Sequence, residues 1–429
     1  MKRYQSYKSS GVEWIGEIPK HWDKRKFKFL FREKRSTSNL SLSSGSISFG
    51  EVIYKDDEGI PEERKETYQE VLKGEFLINP LNLNFDLKSL RIGLSDIDVV
   101  VSPGYIVLIL NNDNNKGYFK YILRTFDTQQ MKSLGNGVRQ TISFNHLSSE
   151  ELVLPPLKEQ IQIVQYLDEK TELIDKLIST KERKITLLKE QRTSLINQVV
   201  TKGLNPNIKM KDTGVEWIGE IPEHWEIKRT SYLCTDMMSG PFGSSLKKEF
   251  YTKKGYKIYG QEQVIDDDFS IGDYYISEEK FNELKRCEIF TNEILISCVG
   301  TFGKISLVPK EFERGIINPR LLKISPNELL INPKYFLILL RSNISFSQFE
   351  CYSRGGTMGV INLEILKQLK FSIPPIKEQV EIIQYIEIRT KEMDDLIHLE
   401  QKKIDLLKEY RQSLISEVVT GKIKVTTDE

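Results

Sequence analysis

The chain states its framework twice, and this duplication limits what it can fold into more than any other feature. Residues 11–22 read GVEWIGEIPKHW and residues 214–225 read GVEWIGEIPEHW, differing only at Lys20 and Glu223. A second repeated pair follows. LPPLKEQIQIVQYL from Leu154 returns as IPPIKEQVEIIQYI from Ile373, and each runs on into charged helical sequence ending LINQVVT or LISEVVT. A tandem repeat decides the architecture, so it is read before any local pattern. Between the repeated pieces lie roughly residues 30–153 and 233–372, which share only short islands. Equal frames carrying unequal inserts suit a protein that holds two different recognition surfaces at a fixed separation.

Periodicity then assigns the frame to helix. After Pro155-Pro156, which fix an extended chain and supply a helix start, apolar residues recur at Ile174, Ile178, Ile185, Leu188, Leu195 and Val199. The second copy keeps the same spacing at Met393, Ile397, Ile404, Leu407, Leu414 and Val418. Each set is a heptad seam, interrupted at equivalent places by Lys181 and Glu400 and by Arg192 and Arg411. Helices over about 157–202 and 376–421 would each be about 68 Å long. A single apolar stripe needs a partner, and the natural partner of each helix is the other. Inserts at opposite ends then require antiparallel helices and a pseudo-twofold, dumb-bell molecule. The competing reading, each stripe buried on its own insert, fits poorly with so long and regular a seam. The predicted fold class is α+β: two strand-rich α/β domains joined by two long antiparallel helices in a coiled coil, a pseudo-twofold tandem duplication. The predicted segments are 1–153, 154–203, 204–372 and 373–425, with 426–429 as a tail.

Composition excludes several classes. The chain has 429 residues, 29% of them charged and 39% hydrophobic, which is ordinary for a soluble protein with two or three cores. The longest apolar runs, YIVLIL (105–110) and YFLILL (335–340), are too short to span a bilayer. The N-terminus MKRYQSYKSS is basic with no apolar stretch behind it, so no signal peptide and a cytoplasmic location are expected. With 62 Lys and Arg against 61 Asp and Glu the net charge is +1, so any nucleic-acid surface must come from local segregation of charge. Cys234, Cys287, Cys298 and Cys351 show no C-x-x-C spacing and read as free thiols, with no metal site. His21 and His224, between a framework proline and tryptophan, read as packed or capping residues, and Asp266, Asp267 and Asp268 as a solvated turn.

Catalytic motifs are absent from the pattern. An amino-methyltransferase needs Asn or Asp, two prolines and an aromatic residue to hold a flipped base, and Asn79-Pro80-Leu81-Asn82 lacks the second proline and the aromatic. A phosphate-cradling G-x-x-x-x-G-K-[ST] loop is also missing, since Gly303-Lys304 is followed by Ile305. The inserts read as strand-rich, with candidate strands at 46–54, 99–110, 256–260, 293–300 and 303–309 and helices at 115–132 and 333–350. GNGVRQTISFNHL (135–147) aligns with RGGTMGVINLEIL (354–366), matching Gly137 with Gly356 and Ile142 with Ile361.

The order W-x-G-E-I-P-x-H-W, a variable strand-rich region, a glycine-bearing turn and a PPLKEQ-type helix start, all repeated once, resembles the specificity subunit of type I restriction-modification systems. SGPFGSSLKKEFY (239–251), IYGQEQV (258–264) and ILISCVGTFGK (294–304) resemble pieces of that family's target-recognition domains. The first insert has GEFLINP (74–80) but neither GPFGSSL nor VGTFGK. The resemblance implies a non-catalytic reader in which each target-recognition domain recognises one half of an asymmetric bipartite DNA sequence and the helices set the gap. It also implies docking of two modification subunits, which use S-adenosylmethionine to methylate adenine, and two restriction subunits, which bring ATP- and Mg-dependent translocation and cleavage. No cofactor is expected in this chain itself.

DNA contacts are expected from loops carrying donors and small residues. In the second insert these are Ser239, Gly240, Gly243, Ser244, Ser245, Lys247 and Lys248 for phosphates, and Gln261, Gln263, Arg354, Thr357 and Met358 for base edges. In the first insert they are Asn136, Arg139 and Gln140, with Lys88 and Arg91 as a second pair. Three other readings remain open at this point: a methyltransferase fused to its own reader, an orphan DNA-binding decoy, and the reader of a methyltransferase system without a restriction subunit.

Overall fold

Each copy of the repeated tryptophan motif closes on the helix start of its own half. In a computed structural model of the protein, which describes residues 2–81, 90–111, 113–131, 134, 141–242, 244–298, 304–353 and 361–425, Trp22 is fully buried and its indole N–H donates to the Glu159 carboxylate at 3.0 Å. His21 Nε2 lies 2.6 Å from the other carboxylate oxygen. The second half makes the same pair of contacts on a single oxygen, with the Trp225 indole 3.0 Å and His224 Nε2 2.8 Å from Glu378 Oε2. A buried indole N–H without an acceptor is costly, so the glutamate of P-P-x-K-E-Q and the tryptophan are one unit, although 137 and 153 residues separate them. The neighbouring glutamine makes a second tie. Gln160 accepts from the Asn115 backbone amide at 3.0 Å, and Gln379 from that of Asn332 at 2.7 Å. Both asparagines are N-caps, of the helices Lys116–Gln129 and Pro333–Arg341.

The chain forms two units, residues 1–182 with 401–429, and residues 183–400. The first carries a four-stranded antiparallel sheet in the order Phe31–Glu33, Ile106–Leu110, Phe76–Ile78, Ile92–Leu94. Its core is aromatic. Phe31 sits 4.7 Å from Phe27, 5.3 Å from Phe119 and 5.5 Å from Phe76, centroid to centroid. The second unit has a four-stranded antiparallel sheet in the corresponding order, Cys234–Ser239, Leu321–Pro326, Ile294–Ser297, Ile305–Leu307. It adds a second sheet of Tyr251–Thr252, Tyr275–Ile276, Tyr256–Tyr259 and Gly315–Ile317, whose last pair is parallel. Around this sheet a separate core forms, including Ile258, Tyr259, Phe281 and Ile316. Buried Lys257 belongs to the same sheet. Its ammonium donates to the carbonyls of Phe269 and Ser270 and pairs with Glu313 at 2.9 Å, which holds the Glu313 carboxyl below its usual range.

Strand and helix limits differ from the sequence expectation at three places, each with a local cause. Residues 46–54 fold back as a hairpin of Gly45–Ser48 and Glu51–Tyr54 because Phe49 and Gly50 adopt φ of 50° and 82°. The run 99–110 is cut into Val99–Val101 and Ile106–Leu110 by Ser102-Pro103-Gly104. Residues 333–350 form two helices, Pro333–Arg341 and Asn343–Ser353, separated by Ser342 in an extended conformation (φ −78°, ψ 160°) with its hydroxyl bonded to the Leu339 carbonyl at 2.6 Å.

The long helices are Leu157–Lys202 and Ile376–Val419. In the second unit, Ser372 beside the start of the later helix donates to Val200 O at 2.9 Å, Asp394 pairs with Arg192 at 3.4 Å, and Glu400 with Lys184 at 2.9 Å. Partners descend one helix while ascending the other, so the packing is antiparallel. The first unit agrees. The Tyr118 hydroxyl lies 3.1 Å from the carbonyls of both Val153 and Val419, one proton serving the two, while Arg411 pairs with Asp175 further along. Ile174, Ile178, Ile404, Leu414 and Val418 are buried and Leu407 half-buried in the first unit. Ile185, Val199 and Met393 are buried and Leu188, Leu195 and Ile397 half-buried in the second. Among the described residues no helix is long and apolar enough to cross a membrane.

Two stability outcomes follow from this packing. Replacing Ile404, 1% exposed, by alanine is expected to cost about 2–5 kcal/mol in denaturant unfolding; a loss under about half a unit would place the seam elsewhere. Glu159→Ala strips a buried indole of its acceptor and is expected to cost about 1–3 kcal/mol. Glu159→Gln keeps an acceptor oxygen and should lose less, with thermal unfolding of the two variants side by side as the check.

Candidate nucleic-acid interface

Three separate sequence pieces of the second insert meet at one short loop, Asn318-Pro319-Arg320. The strand Tyr256–Tyr259 presents its last carbonyl to the Asn318 amide at 2.8 Å, and the Asn318 side chain accepts from the Arg320 amide at 2.8 Å. This is an Asx turn, which fixes the loop from within. From the second piece, the Cys298 amide donates to Arg320 O at 3.0 Å, and from the third, the Gly240 amide donates to Leu321 O at 2.9 Å. A β-carbon on Gly240 would stand 1.9 Å from the backbone oxygen of Asn318, so that position requires glycine, and one on Gly260 would stand 2.8 Å from Asn318 Nδ2, a close approach to the same loop. Ser239-Gly240, Tyr259-Gly260 and Ser297-Cys298 are therefore packing partners around one exposed arginine.

The side chains at this place divide into braces and free donors. Gln263 is fully buried: its oxygen accepts from the Gly260 amide at 2.7 Å and its nitrogen donates to Ile271 O and Glu262, each at 3.0 Å. Its amide is used inside the fold, which corrects the expectation that Gln263 meets a base edge. Gln261 is half-buried, donates to Ser297 Oγ at 2.7 Å and accepts from Arg320 Nη1 at 3.5 Å. Arg320 is exposed. On the neighbouring loop Ser239, Ser244, Lys247 and Lys248 are exposed and Ser245 is half-buried, its amide closing a turn onto Phe242 O at 2.8 Å. Phe242 itself is 83% exposed. Hydroxyls, ammonium groups and an aromatic ring presented together suit a phosphate-lined surface.

In the first insert Arg91 is buried, with its backbone amide bonded to Asp127 and its Nε 3.3 Å from the fully buried Asp127 carboxylate. A guanidinium enclosed in an ion pair cannot reach DNA, so Arg91 is corrected to a core residue. Lys88, Asn136, Arg139 and Gln140, and Gly243, Arg354, Thr357 and Met358 in the second insert, lie outside the described residues. The anchors of the two glycine-bearing turns are described. The Ile142 amide donates to Pro80 O at 3.0 Å and the Ile361 amide to Cys298 O at 3.1 Å, and both side chains are 2% exposed. Each anchor thus returns to the end of the third strand of its sheet, as the alignment of Ile142 with Ile361 implies.

Sequence reasoning missed Arg320, whose signal is the turn-forming N-P-R after a strand-like run, and the cap-to-glutamine tie, whose signal is the shared N-x-x-Y-F of 115–119 and 332–336. Two of the thiols are poor nucleophiles: burial pushes Cys298 up to about 11 and Cys234 up to about 12, with the charge of Asp236 adding to the latter.

Comparison with known proteins agrees with this frame. The family profile for the type I restriction modification DNA specificity domain matches residues 88–187 and 222–409. A Methanocaldococcus jannaschii protein described as the specificity subunit of the type I restriction enzyme MjaX is 25% identical, with 96% of each chain covered. The EcoBI specificity subunit of Escherichia coli is 24% identical over 72% of this chain and 66% of that one. Among solved structures, a chain from work on complex assembly and conformational transition of the type I R-M system superposes with a TM-score of 0.71 at 16% identity, covering 95% of this chain and 99% of that one. The HsdS subunit of Thermoanaerobacter tengcongensis gives 0.55 at 15% identity, covering 97% and 100%. A chain whose duplicated frame, sheet order and profile match coincide in this way belongs to the type I restriction-modification DNA specificity family and is a specificity subunit, a protein of DNA sequence recognition.

Proposed function

We propose that the chain reads an asymmetric bipartite DNA target, one half-site per insert, with the paired helices fixing the unspecified gap. One observation carries this reading. The two halves agree down to the hydrogen bonds of the frame, Trp–Glu–His and Gln–Asn, and in the order of the four-stranded sheet, yet differ where the strands end. The strand register sets Ile106 opposite Ile78 and Leu322 opposite Ile296, so the position of Arg320 is filled by Gly104 in the first half. The same scaffold with different edge residues supports two readers of different sequence.

The partners follow from a second repetition. Leu157, Ile161 and Leu177 of the first long helix are exposed in the first unit, and so are Ile376, Val380 and Leu396 at the matching positions of the second helix in the second unit. Exposed apolar residues that recur at matching positions of both helices support docking surfaces rather than scatter, and surfaces present twice suit two copies of one partner. In keeping with the family resemblance, that partner is taken to be a DNA methyltransferase subunit, which would supply S-adenosylmethionine and adenine methylation. Two restriction subunits would add ATP- and Mg-dependent translocation and cleavage. The chain contributes recognition and no chemistry of its own, and acts in the cytoplasm where its DNA is.

Exchanging residues 30–153 for the corresponding insert of a relative is expected to change one half-site of the methylated motif and leave the other and the gap untouched, as read by methylome sequencing of a host that also carries the methyltransferase. Simultaneous change of both half-sites would defeat independent reading. The docking face has its own test. Leu177→Asp with Leu396→Asp alters side chains 51% and 42% exposed, so unfolding temperature should move little while copurification of the methyltransferase is lost. Retained copurification would move the docking face elsewhere.

A further inference from the structure

We propose that Arg320 is the residue through which the second insert reads a guanine, and that Gln261 is the positioning residue that holds it for this contact. The inference rests on the DNA-reading function proposed above and names the contact that function needs. Direct readout of guanine calls for two parallel N–H donors directed at N7 and O6. Arginine supplies five donors in a fixed planar fork, and discrimination improves when the fork is held in place before DNA arrives.

The structure meets these requirements at one point. The Arg320 backbone is held on both sides: its amide by the Asn318 side chain, its carbonyl by the Cys298 amide, and the next carbonyl by the Gly240 amide. The side chain is exposed, and Nη1 points at the Gln261 oxygen from 3.5 Å. Gln261 is oriented by its bond to Ser297, which is 1% exposed and belongs to the core sheet. One donor of the fork is thereby directed by a neutral acceptor and its charge stays available. Two other arginines of this insert contrast with it. Arg314 pairs with Glu288 at 2.6 Å and Arg341 with Asp267 at 3.0 Å. Among the described residues no carboxylate forms an ion pair with Arg320. It is also the centre on which Gly240, Gly260 and Ser297-Cys298 converge, so close backbone packing presents this residue. Gly104 at the corresponding position of the first half offers no donor fork, so the contact belongs to one half-site only.

The test measures methylation rates of duplexes carrying each base at each position of the target, using the complex of this chain with its methyltransferase. Arg320→Ala is expected to relax discrimination at a single guanine of the second half-site by roughly 5- to 150-fold and to leave the first half-site unchanged, which doubles as a control for folding. Arg320→Lys keeps the charge but not the fork and should relax the same position. Gln261→Ala should weaken discrimination there to a smaller degree. Unchanged stringency in both Arg320 variants would overturn the proposal. So would a loss uniform across sequences with a shallower salt dependence, restored by lysine, which is the signature of a phosphate contact. If Arg320→Ala abolishes all methylation, the lysine variant decides by the same two criteria. Failure of the underlying reading would look different, since the unaltered complex would then methylate no bipartite motif.

Discussion

The structure depends on one interaction made twice, a carboxylate in the first turn of each long helix that closes on a buried tryptophan from the far end of the same half. Glu159 and Glu378 accept the indole N–H of Trp22 and Trp225 at 3.0 Å, and each also meets the preceding histidine. A charge-assisted bond to a donor that burial has removed from water is among the stronger single contacts available to a fold. It also has a topological effect. The strand after each tryptophan, Asp23–Lys26 or Glu226–Arg229, pairs with the strand that enters the proline pair, Glu151–Leu154 or Lys370–Ile373. Everything between those strands becomes an excursion whose two ends are pinned, and an excursion with pinned ends can change its interior without moving the frame.

That separation explains how dissimilar inserts share one sheet. The framework glutamine reaches into each insert and holds the N-cap asparagine of its first long helix, and the tyrosine and phenylalanine that follow, Tyr118-Phe119 and Tyr335-Phe336, are fully buried. These contacts fix where the insert begins to pack. The core beyond them is free to differ: aromatic in the first unit, where Phe27, Phe31, Phe76, Phe119 and Phe126 cluster, and largely aliphatic around the equivalent sheet of the second. Cores tolerate such exchange when volume and pattern are kept.

The frame was legible because its signals are periodic or repeated. Ile174, Ile178, Ile185 and their copies stand at spacings that have one structural meaning, and the helices Leu157–Lys202 and Ile376–Val419 sit where that spacing places them. Interruptions of the seam were equally visible, though not their use. Arg192 and Arg411 pair with Asp394 and Asp175, and Glu400 with Lys184, so the polar breaks restrict the register at which the helices can pack. The interior of the inserts was less legible for a physical reason. Strand order is set by pairings distant in sequence, which leave no local trace, and short apolar runs such as 99–110 and 333–350 hid the Pro103 and Ser342 breaks that divide them.

Candidate contact residues were the hardest to place, because residue type reports what a side chain can bond and not whether its bonds are already made. Gln261 and Gln263 are two residues apart on one helix, and the one facing inward is fully used by Gly260, Glu262 and Ile271 while the other faces Arg320. Arg91 and Arg320 are equally capable guanidinium groups. Burial against Asp127 removes the first from any surface, whereas an Asx turn and the close approach of Gly240 and Gly260 bring the second out to it. The difference lies in backbone approach. Glycines required by close packing cluster where a loop must be held rigid, so in a duplicated frame of this kind the residue such glycines surround is a better guide to the recognition edge than the count of basic residues nearby.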